Sequence, residues 1–521
     1  YITKFVGVVF AKVHMNDLLK VLDPYLTGVT LNKSIYQDYL ADEKQLIKET
    51  LLRDAQDPKK VDEDAIEQLA AELSTAGRQN KASGLNVENF LREYSLGTEE
   101  GIAIMCLAEA LIRVPDAETA QVFLQDKISQ GNWGVHLGHS SSFWINASTW
   151  GLVFTEQILK TLPEKGAGII SQLIRRLGGP LIHAALQQAM SLISEQFVSG
   201  KTIAQAYRKA QSDGAFCYSF DMLGEAALTE SDADNYFRSY YSAIETLSDT
   251  PLDHPIRPGI SVKLSALHPR FEPWQRDALD AVEERLLELV LFAKSKDIPI
   301  TLDAEESHRI EPLLHIFTRL FQSPDLSDWS HFGIAVQAYS KRSYSILNYL
   351  ESLSQKYQKV IPVRLVKGAY WDYEIKKAQQ EGLSHYPVFT EKALTDVNYL
   401  YLARFLIKRR NCFYAQFGTH NAFTMAYIVD LARVYENSTF EFQRLYGMGS
   451  AIYQKLLKTH PDLTCRIYAP VGPHRDLLPY LVRRLLENGA NTSFIHQLRN
   501  ERIPIHELVR NPLVSSRVRT I

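Results

Sequence analysis

Close to the C-terminus, residues 478–487 set Tyr480, Arg483, Arg484 and Glu487 at spacings i, i+3, i+4 and i+7. At about 100° per residue these fall on one face of a helix, with Leu478, Leu481, Val482, Leu485 and Leu486 on the other. Two adjacent guanidiniums beside a phenol and a carboxylate make a receptor for a small carboxylate or a phosphate, because the planar fork binds oxyanions bidentately. The wet face of an ordinary amphipathic helix with an i,i+4 Arg/Glu pair carries the same residues and is worth little. The rest of the chain has to decide between the two.

A second set of reactive side chains is strung along short apolar runs. Asp221 and Glu225 follow the first run, Lys263 lies in the second and Asp303 in the third. Gln337 lies in the fourth, Arg364 and Lys367 lie in the fifth, and Thr419 and His420 close the sixth. Such groups cost several kcal/mol each in a strand buried on both faces, roughly 2–7 for an unpaired polar group, so a ring of them marks a site. Taken singly, Lys263/Asp303 and Glu225/Arg364 also read as structural ion pairs, and His420 as a satisfied core histidine. Asp303, Glu305 and Glu306 with His474 do not make a metal site: no two histidines are spaced as ligands, and Glu305 and Glu306 are expected on opposite sides of a strand.

The elements that must position these groups are legible in the alternation of texture after residue 206. Apolar runs at 216–223, 260–267, 298–306, 332–339, 360–370, 413–420, 440–448 and 465–470 are separated by amphipathic helices such as 276–297 and 390–408. Eight strand–helix units over about 280 residues predict a (βα)8 barrel, whose chemistry sits at the C-terminal ends of its strands. An open doubly wound sheet is the alternative, but no Gly-rich dinucleotide fingerprint follows any strand. The barrel is assigned to 206–495, preceded by an all-α domain at 84–205, a charged helical arm at 34–83 and a segment, 1–33, with no assigned role; 496–521 is a tail. Asp57-Pro58 splits the arm into two helices with thin apolar faces, which asks for a covering surface, a second copy of the chain among the candidates. Ser199-Gly200-Lys201-Thr202 is not a phosphate loop, since Glu195 stands where that motif needs glycine.

Composition narrows the function. The chain has 521 residues, 57 basic and 60 acidic groups and a net charge of −3, so nucleic acid is not an expected partner. Its four cysteines are scattered without zinc spacing, no apolar run reaches membrane-spanning length, and the segment after Lys4 lacks a leader's cleavage site, which predicts a cytoplasmic protein. The ring contains no nucleophile–base pair and no nucleophile elbow, while cations and aromatics (Tyr370, Trp371, Tyr468, Tyr480) are plentiful. A large flat anionic cofactor beside a small carboxylate suits such a mouth, and a flavin nucleotide fits the description. A Schiff-base aldolase using Lys263 or Lys367, with the arginines as a phosphate site, and an inert barrel serving the arm are the competing readings.

At these same residues the sequence resembles the proline dehydrogenase domain of the bifunctional proline utilization A flavoenzymes. The stretches that carry the likeness are SFDMLGEAALT (219–229), SVKLSALHPRF (261–271), LDAEES (302–307), VQAYSKR (336–342), VRLVKGAYWD (363–372), THNAFT (419–424), RLYGMG (444–449) and RIYAPVGPHRDLLPYLVRRLLENGANTSF (466–494). The resemblance runs from about residue 35 to 513 and implies a distorted (βα)8 barrel holding FAD, with the last helix lying over the barrel mouth. It implies oxidation of L-proline to Δ1-pyrroline-5-carboxylate, the first step of proline catabolism, with hydride passing to flavin N5 and electrons leaving to a membrane quinone. Position by position it implies that Lys263, Arg483 and Arg484 hold the substrate carboxylate. Asp303, Leu365, Tyr370, Leu445, Tyr468 and Tyr480 would surround the ring, and Arg364 would lie near flavin N5. Ala304, Gln337, Lys367, Gly368, Ala369, Trp371, Thr419, His420 and Glu487 would line the rest of the cofactor. No metal is implied.

Three departures accompany the resemblance. The aldehyde dehydrogenase half that follows in the family has no counterpart after residue 495. Residues 1–33 do not resemble the ribbon–helix–helix segment that gives some members DNA binding, which again predicts no nucleic-acid partner. Membrane contact, for access to quinone at the inner face, would be peripheral.

Overall fold

The computed structural model describes residues 31–79, 198–214, 216–224, 226–249, 256–472, 494–499 and 502–514. Its centre is a closed barrel of eight parallel strands in sequence order. They are β1 Cys217–Met222, β2 Gly259–Val262, β3 Ile300–Leu302, β4 Phe332–Gln337, β5 Ile361–Val366, β6 Phe413–Gly418, β7 Phe440–Leu445 and β8 Cys465–Val471. β1 closes the ring against β8, with Cys217 opposite Arg466 and Met222 opposite Val471. Each predicted run holds one strand, and the open-sheet alternative is excluded by this closure.

Two runs overshoot in an informative way. β2 stops at Val262 and β3 at Leu302, so Lys263 and Asp303 are the first residues beyond their strands. The chain after Lys263 turns into a 3-10 helix at Leu264–Ala266. Strand ends of this kind are where a parallel barrel delivers side chains to its open face.

The wall of helices follows from amphipathic periodicity. In chain order the described helices are α1 Lys33–Gln37, α2 Glu43–Ala55, α3 Glu63–Gln79, α4 Ile203–Gln211, α5 Glu230–Asp249, α6 Arg276–Lys296, α7 Ile310–Phe321, α8 Ser343–Tyr357, α9 Trp371–Gln380, α10 Lys392–Lys408, α11 Ala422–Tyr435 and α12 Ser450–Thr459. Short helices at Phe494–Arg499 and Ile505–Leu508 follow. Side-chain caps start several of them: Asp42 accepts from Gln45 N at 2.8 Å and Asn421 from Thr424 N at 3.0 Å. None of the helices among the described residues is long and apolar enough to cross a membrane.

The arm, α1–α3, breaks at Asp57-Pro58 as the sequence predicts, but its covering surface is the barrel of the same chain. Asp54 pairs with Arg404 at 2.8 Å and Asp57 with Lys408 at 3.0 Å, both on α10. Asp430 on α11 accepts from Asp62 N at 2.8 Å, and Glu72 meets Lys455 on α12 at 3.1 Å. Ile47, Ile66, Ala70 and Leu73 are fully or nearly fully buried against the barrel's helices. The thin apolar stripe suffices because charged pairs flank it, and this part of the arm's surface is not left for a second copy.

Toward the N-terminal ends of the strands the barrel is closed by a buried charged plug. Arg466 donates to Glu441 from Nε at 2.6 Å and from Nη2 at 3.0 Å, and from Nη1 to the carbonyls of Tyr218 and Arg257. Gln416, Gln443 and Tyr414 all donate to the same carboxylate. Glu441 is 0% exposed, so its charge survives only through these partners. Replacing Glu441 with alanine strands the guanidinium of Arg466. The expected outcome is a loss of about 3–5 kcal/mol of barrel stability, read as a lowered thermal midpoint, and pairing Glu441→Leu with Arg466→Met should recover much of it. An unchanged midpoint in the single variant would contradict the assignment.

Candidate active site

At the opposite end of the barrel, inward-facing positions of β1, β5 and β8 converge with the first residues beyond β2 and β3. Arg364, in the middle of β5, donates from Nη1 to Asp303 Oδ1 at 2.5 Å and from Nη2 to Ser219 Oγ at 3.1 Å. Tyr468, on β8 opposite Ser219, donates its hydroxyl to Asp303 Oδ2 at 2.7 Å. The Arg364 guanidinium lies over the Tyr468 ring, 5.1 Å from its centroid. Lys263 Nζ reaches Asp221 Oδ1 at 2.6 Å, Tyr468 Oη at 3.3 Å and Asp303 Oδ2 at 3.5 Å. Lys263, Asp303, Arg364 and Tyr468, predicted from sequence, are thereby one hydrogen-bonded unit.

The electrostatics follow from dryness. Burial holds the Asp221 carboxyl above the usual range, and the adjacent Lys263 ammonium offsets only part of that rise. Burial, with Asp221 and Asp303 close by, holds the Tyr468 phenol well above its ordinary value, so it stays a proton donor to Asp303. The pairing differs from the one the sequence suggests. Asp303 belongs chiefly to Arg364, and the close counterion of Lys263 is Asp221. Glu225, the expected partner of Arg364, lies outside the described residues. Glu305 and Glu306 are not on a strand, because β3 ends at Leu302. They sit in the following loop, where Arg309 binds both, at 3.2 and 3.1 Å, and burial pushes Glu305 up to about 7.

The remaining predicted positions that fall on described residues lie on or just beyond the strand ends. Gln337, the last residue of β4, donates to the Ala304 carbonyl at 3.2 Å, while its Oε1 is buried with no partner among the described residues. The chain past β5 turns on Gly368, where φ is 131° and a Cβ would fall 2.4 Å from the Tyr339 ring, so no side chain fits. Lys367 is turned to Asp396 on α10. Ala369 is exposed, Tyr370 caps α9, and Trp371, 41% exposed, donates from Nε1 to the Phe389 carbonyl. Leu365 is fully buried in the core. His420 Nε2 accepts from the backbone N of Leu445 at 3.1 Å, and Thr419 accepts from Asn421 N. Tyr480, Arg483, Arg484 and Glu487 lie outside the described residues.

The geometry bears on the competing chemistries. A Schiff-base lysine must reach its neutral amine, whereas Lys263 stands between two carboxylates and Lys367 against a third, which favours the ammonium. Among the described residues no group of three His, Cys, Asp or Glu side chains could hold a metal ion. Cys217 and Cys465 are buried, and burial raises both thiols, Cys217 to about 11, so neither is an activated nucleophile. Sequence reasoning places Asp221 in the ring without giving it a partner, and it passes over Ser219. Asp221 carried a signal, a lone carboxylate in the run CYSFDM, while nothing distinguishes Ser219 until its position across from Tyr468 is known.

Comparison with known proteins matches residues 203–497 to the family model for proline dehydrogenase, and residues 86–197 to the model described as the DNA-binding domain of proline dehydrogenase. The second match stands against the expectation of no nucleic-acid partner. That expectation rested on net charge averaged over the whole chain and on the search for one particular motif in residues 1–33, and neither inspects residues 86–197. Bifunctional protein PutA of Klebsiella aerogenes is 46% identical over 477 residues, covering 89% of this chain and 36% of that protein. The chain thus spans about a third of the length of such curated relatives. Proline dehydrogenase 1 of Bacillus subtilis is 27% identical over 310 residues, which are 58% of this chain and 89% of that protein. A crystal structure of a Bradyrhizobium japonicum proline utilization A point mutant superposes with a TM-score of 0.67 at 45% identity, covering 91% of this chain and 48% of that one. With the family model spanning more than half of its residues and the solved relative sharing its barrel, the chain belongs to the proline dehydrogenase family.

Proposed function

We propose that this chain oxidises L-proline to Δ1-pyrroline-5-carboxylate with FAD bound at the C-terminal face of the barrel, electrons then leaving to a membrane quinone. The observation that carries the reading is the closed unit of Lys263, Asp221, Arg364, Asp303 and Tyr468 at the strand ends. In support, a match over 58% of this chain covers 89% of Proline dehydrogenase 1 of Bacillus subtilis.

The residues present fit a flavin. A buried amide oxygen on Gln337 without a partner among the described residues suits a flat ring whose edge alternates N–H and C=O groups. Gly368 and Gly449, both at positive φ, bring backbone close where side chains cannot go. Gln337, Ala304, Arg364, the 367–371 loop, Thr419, His420 and Glu487 would hold the cofactor. Bound FAD supplies the two-electron acceptor.

The chain's own part is binding, orientation and charge. In the described ring the cations Lys263 and Arg364 are matched by the carboxylates Asp221 and Asp303. A substrate carboxylate entering this matched set needs further positive charge, and Arg483 and Arg484 are the groups that would bring it. Cations gathered around the carboxylate disfavour a positive amine a few ångströms away, and so favour the neutral amine that oxidation of the N–C5 bond requires. Tyr468, fixed by Asp303, and Leu445 and Tyr370 would bound the ring of the substrate.

The direct test is the absorption spectrum of the purified protein. An oxidised-flavin spectrum that proline bleaches under anaerobic conditions is expected; a colourless protein that cannot take up FAD ends the reading. Arg484→Met is expected to raise KM for proline on the order of 10–100-fold, the worth of one charged hydrogen bond of about 1.5–3 kcal/mol, with FAD content nearly unchanged. Wholesale loss of FAD instead would show that the carboxylate assignment is wrong. Asp303→Asn removes the anion shared by Arg364 and Tyr468, and kcat/KM should fall by at least 100-fold, as roughly 3–5 kcal/mol is lost when one partner of a buried pair is removed. Full activity in that variant would show the unit to be structural only.

A further inference from the structure

Asp221 has no role in the reading above beyond charge balance, yet its placement is specific. It is the penultimate residue of β1, opposite Ser261 on β2, and is 0% exposed. Its Oδ1 receives Lys263 Nζ at 2.6 Å. The other carboxylate near that ammonium, Asp303, is 3.5 Å away and is engaged on Oδ1 by Arg364 and on Oδ2 by Tyr468. Lys263 is also held by its backbone: its N–H donates to the hydroxyl of Tyr240, a fully buried residue of α5, at 3.3 Å. Among the described residues, the charged and titratable groups facing the lysine include Asp221 from β1, Asp303 from the β3 end, Tyr468 from β8 and Tyr240 from α5, with Arg364 of β5 behind Asp303.

A carboxylate in so dry a place persists only beside a fixed cation, and the cation in turn is fixed by it. Flexible as it is, a lysine stem loses its wandering when one of its three donors is tied at short range and its backbone is tied to a helix. We propose that Asp221 is a positioning residue of the substrate site, holding the Lys263 ammonium in direction and in charge for the carboxylate of the bound substrate. The proposal rests on the reading of Lys263 as a ligand for that carboxylate. Without the adjacent anion, a desolvated ammonium gives up its proton more readily, and a neutral amine no longer attracts an anion. Loss of Asp221 must therefore appear as failure of anion binding at a lower pH.

The probe is cyclopentanecarboxylate, a five-membered-ring acid with no amine of its own to titrate. Its dissociation constant is measured with the FAD-loaded protein by the perturbation of flavin absorbance between pH 6 and 10. Asp221→Asn is expected to bind within a few-fold of the wild type at pH 6 and to lose affinity with a midpoint about 1–3 pH units lower. Adding Lys263→Arg, whose charge does not titrate in this range, should flatten the profile again. Coincident midpoints in wild type and Asp221→Asn overturn the proposal. Should Asp221→Asn fail to fold or to hold FAD, Asp221→Glu keeps the charge but displaces the ammonium, and weaker binding at every pH with the wild-type midpoint is expected. Wild-type affinity in Asp221→Glu, with only a lowered melting temperature, would make Asp221 merely structural and overturn the proposal. Lys263→Met separates the two levels: unchanged affinity at every pH would refute Lys263 as a carboxylate ligand, whatever Asp221 does.

Discussion

Everything at the working end of this barrel depends on charges that have been taken out of water and must satisfy one another. Arg364 is held by Asp303 and Ser219, Asp303 by Arg364 and Tyr468, and Lys263 by Asp221. In a dry cavity a removed partner leaves an uncompensated charge, so the members stand or fall together. That interdependence also supplies rigidity. Each long side chain is tied at its far end, so the groups are arranged before any substrate arrives and little reorganisation remains.

The same physics operates at the other end with a different outcome. The plug around Glu441 and Arg466 closes on itself: the carboxylate accepts from Arg466, Gln416, Gln443 and Tyr414, and the guanidinium's remaining bonds go to backbone carbonyls. The plug's charges are matched, although Gln416 Oε1 and Gln443 Oε1 are buried there without partners among the described residues. At the C-terminal ends, Gln337 Oε1 and Arg364 Nε are buried without partners among the described residues. Unspent hydrogen-bonding capacity in a buried place is a liability for folding and an asset for binding. The guanidiniums carry the contrast: Arg466 donates from Nε, Nη1 and Nη2, whereas Arg364 keeps a buried Nε without a partner among the described residues.

How much of this was legible beforehand depended on the range of the interaction. The eight apolar runs are local patterns, and each one became a strand of the closed barrel. The ring of polar residues was legible as a set because isolated charges in buried strands are conspicuous. Their partnerships were not, since Asp221 and Lys263 are 42 residues apart and Asp303 and Arg364 61 apart. Sequence offers Lys263 two carboxylates, and strand register decides between them. The strand ends were hard to place for a related reason: Lys263 and Asp303 directly follow Val262 and Leu302, the last residues paired between β2 and β3, and only that pairing shows where the strands stop. The arm failed in the opposite direction. Its thin stripe suggested an external partner because no local signal reveals that Arg404, Lys408 and Lys455 stand ready on the barrel's own helices.

The arm's first turns also explain why loops so rich in polar groups hold their shape. Arg342, fully buried at the start of α8, lies 4.6 Å from the centroid of the Tyr39 ring and donates to Glu311 and to the Ser307 carbonyl. Lys341 donates to the Ala41 carbonyl, and Thr390 donates from N and from Oγ1 to Glu43. Residues 38–43 thus tie the loop after β4 to the segment between α9 and α10, while Arg342 reaches the loop after β3. Loops usually gain function by giving up stability. Here a segment far away in sequence returns some of that stability from outside the barrel, leaving the inner faces of the loops free to be polar.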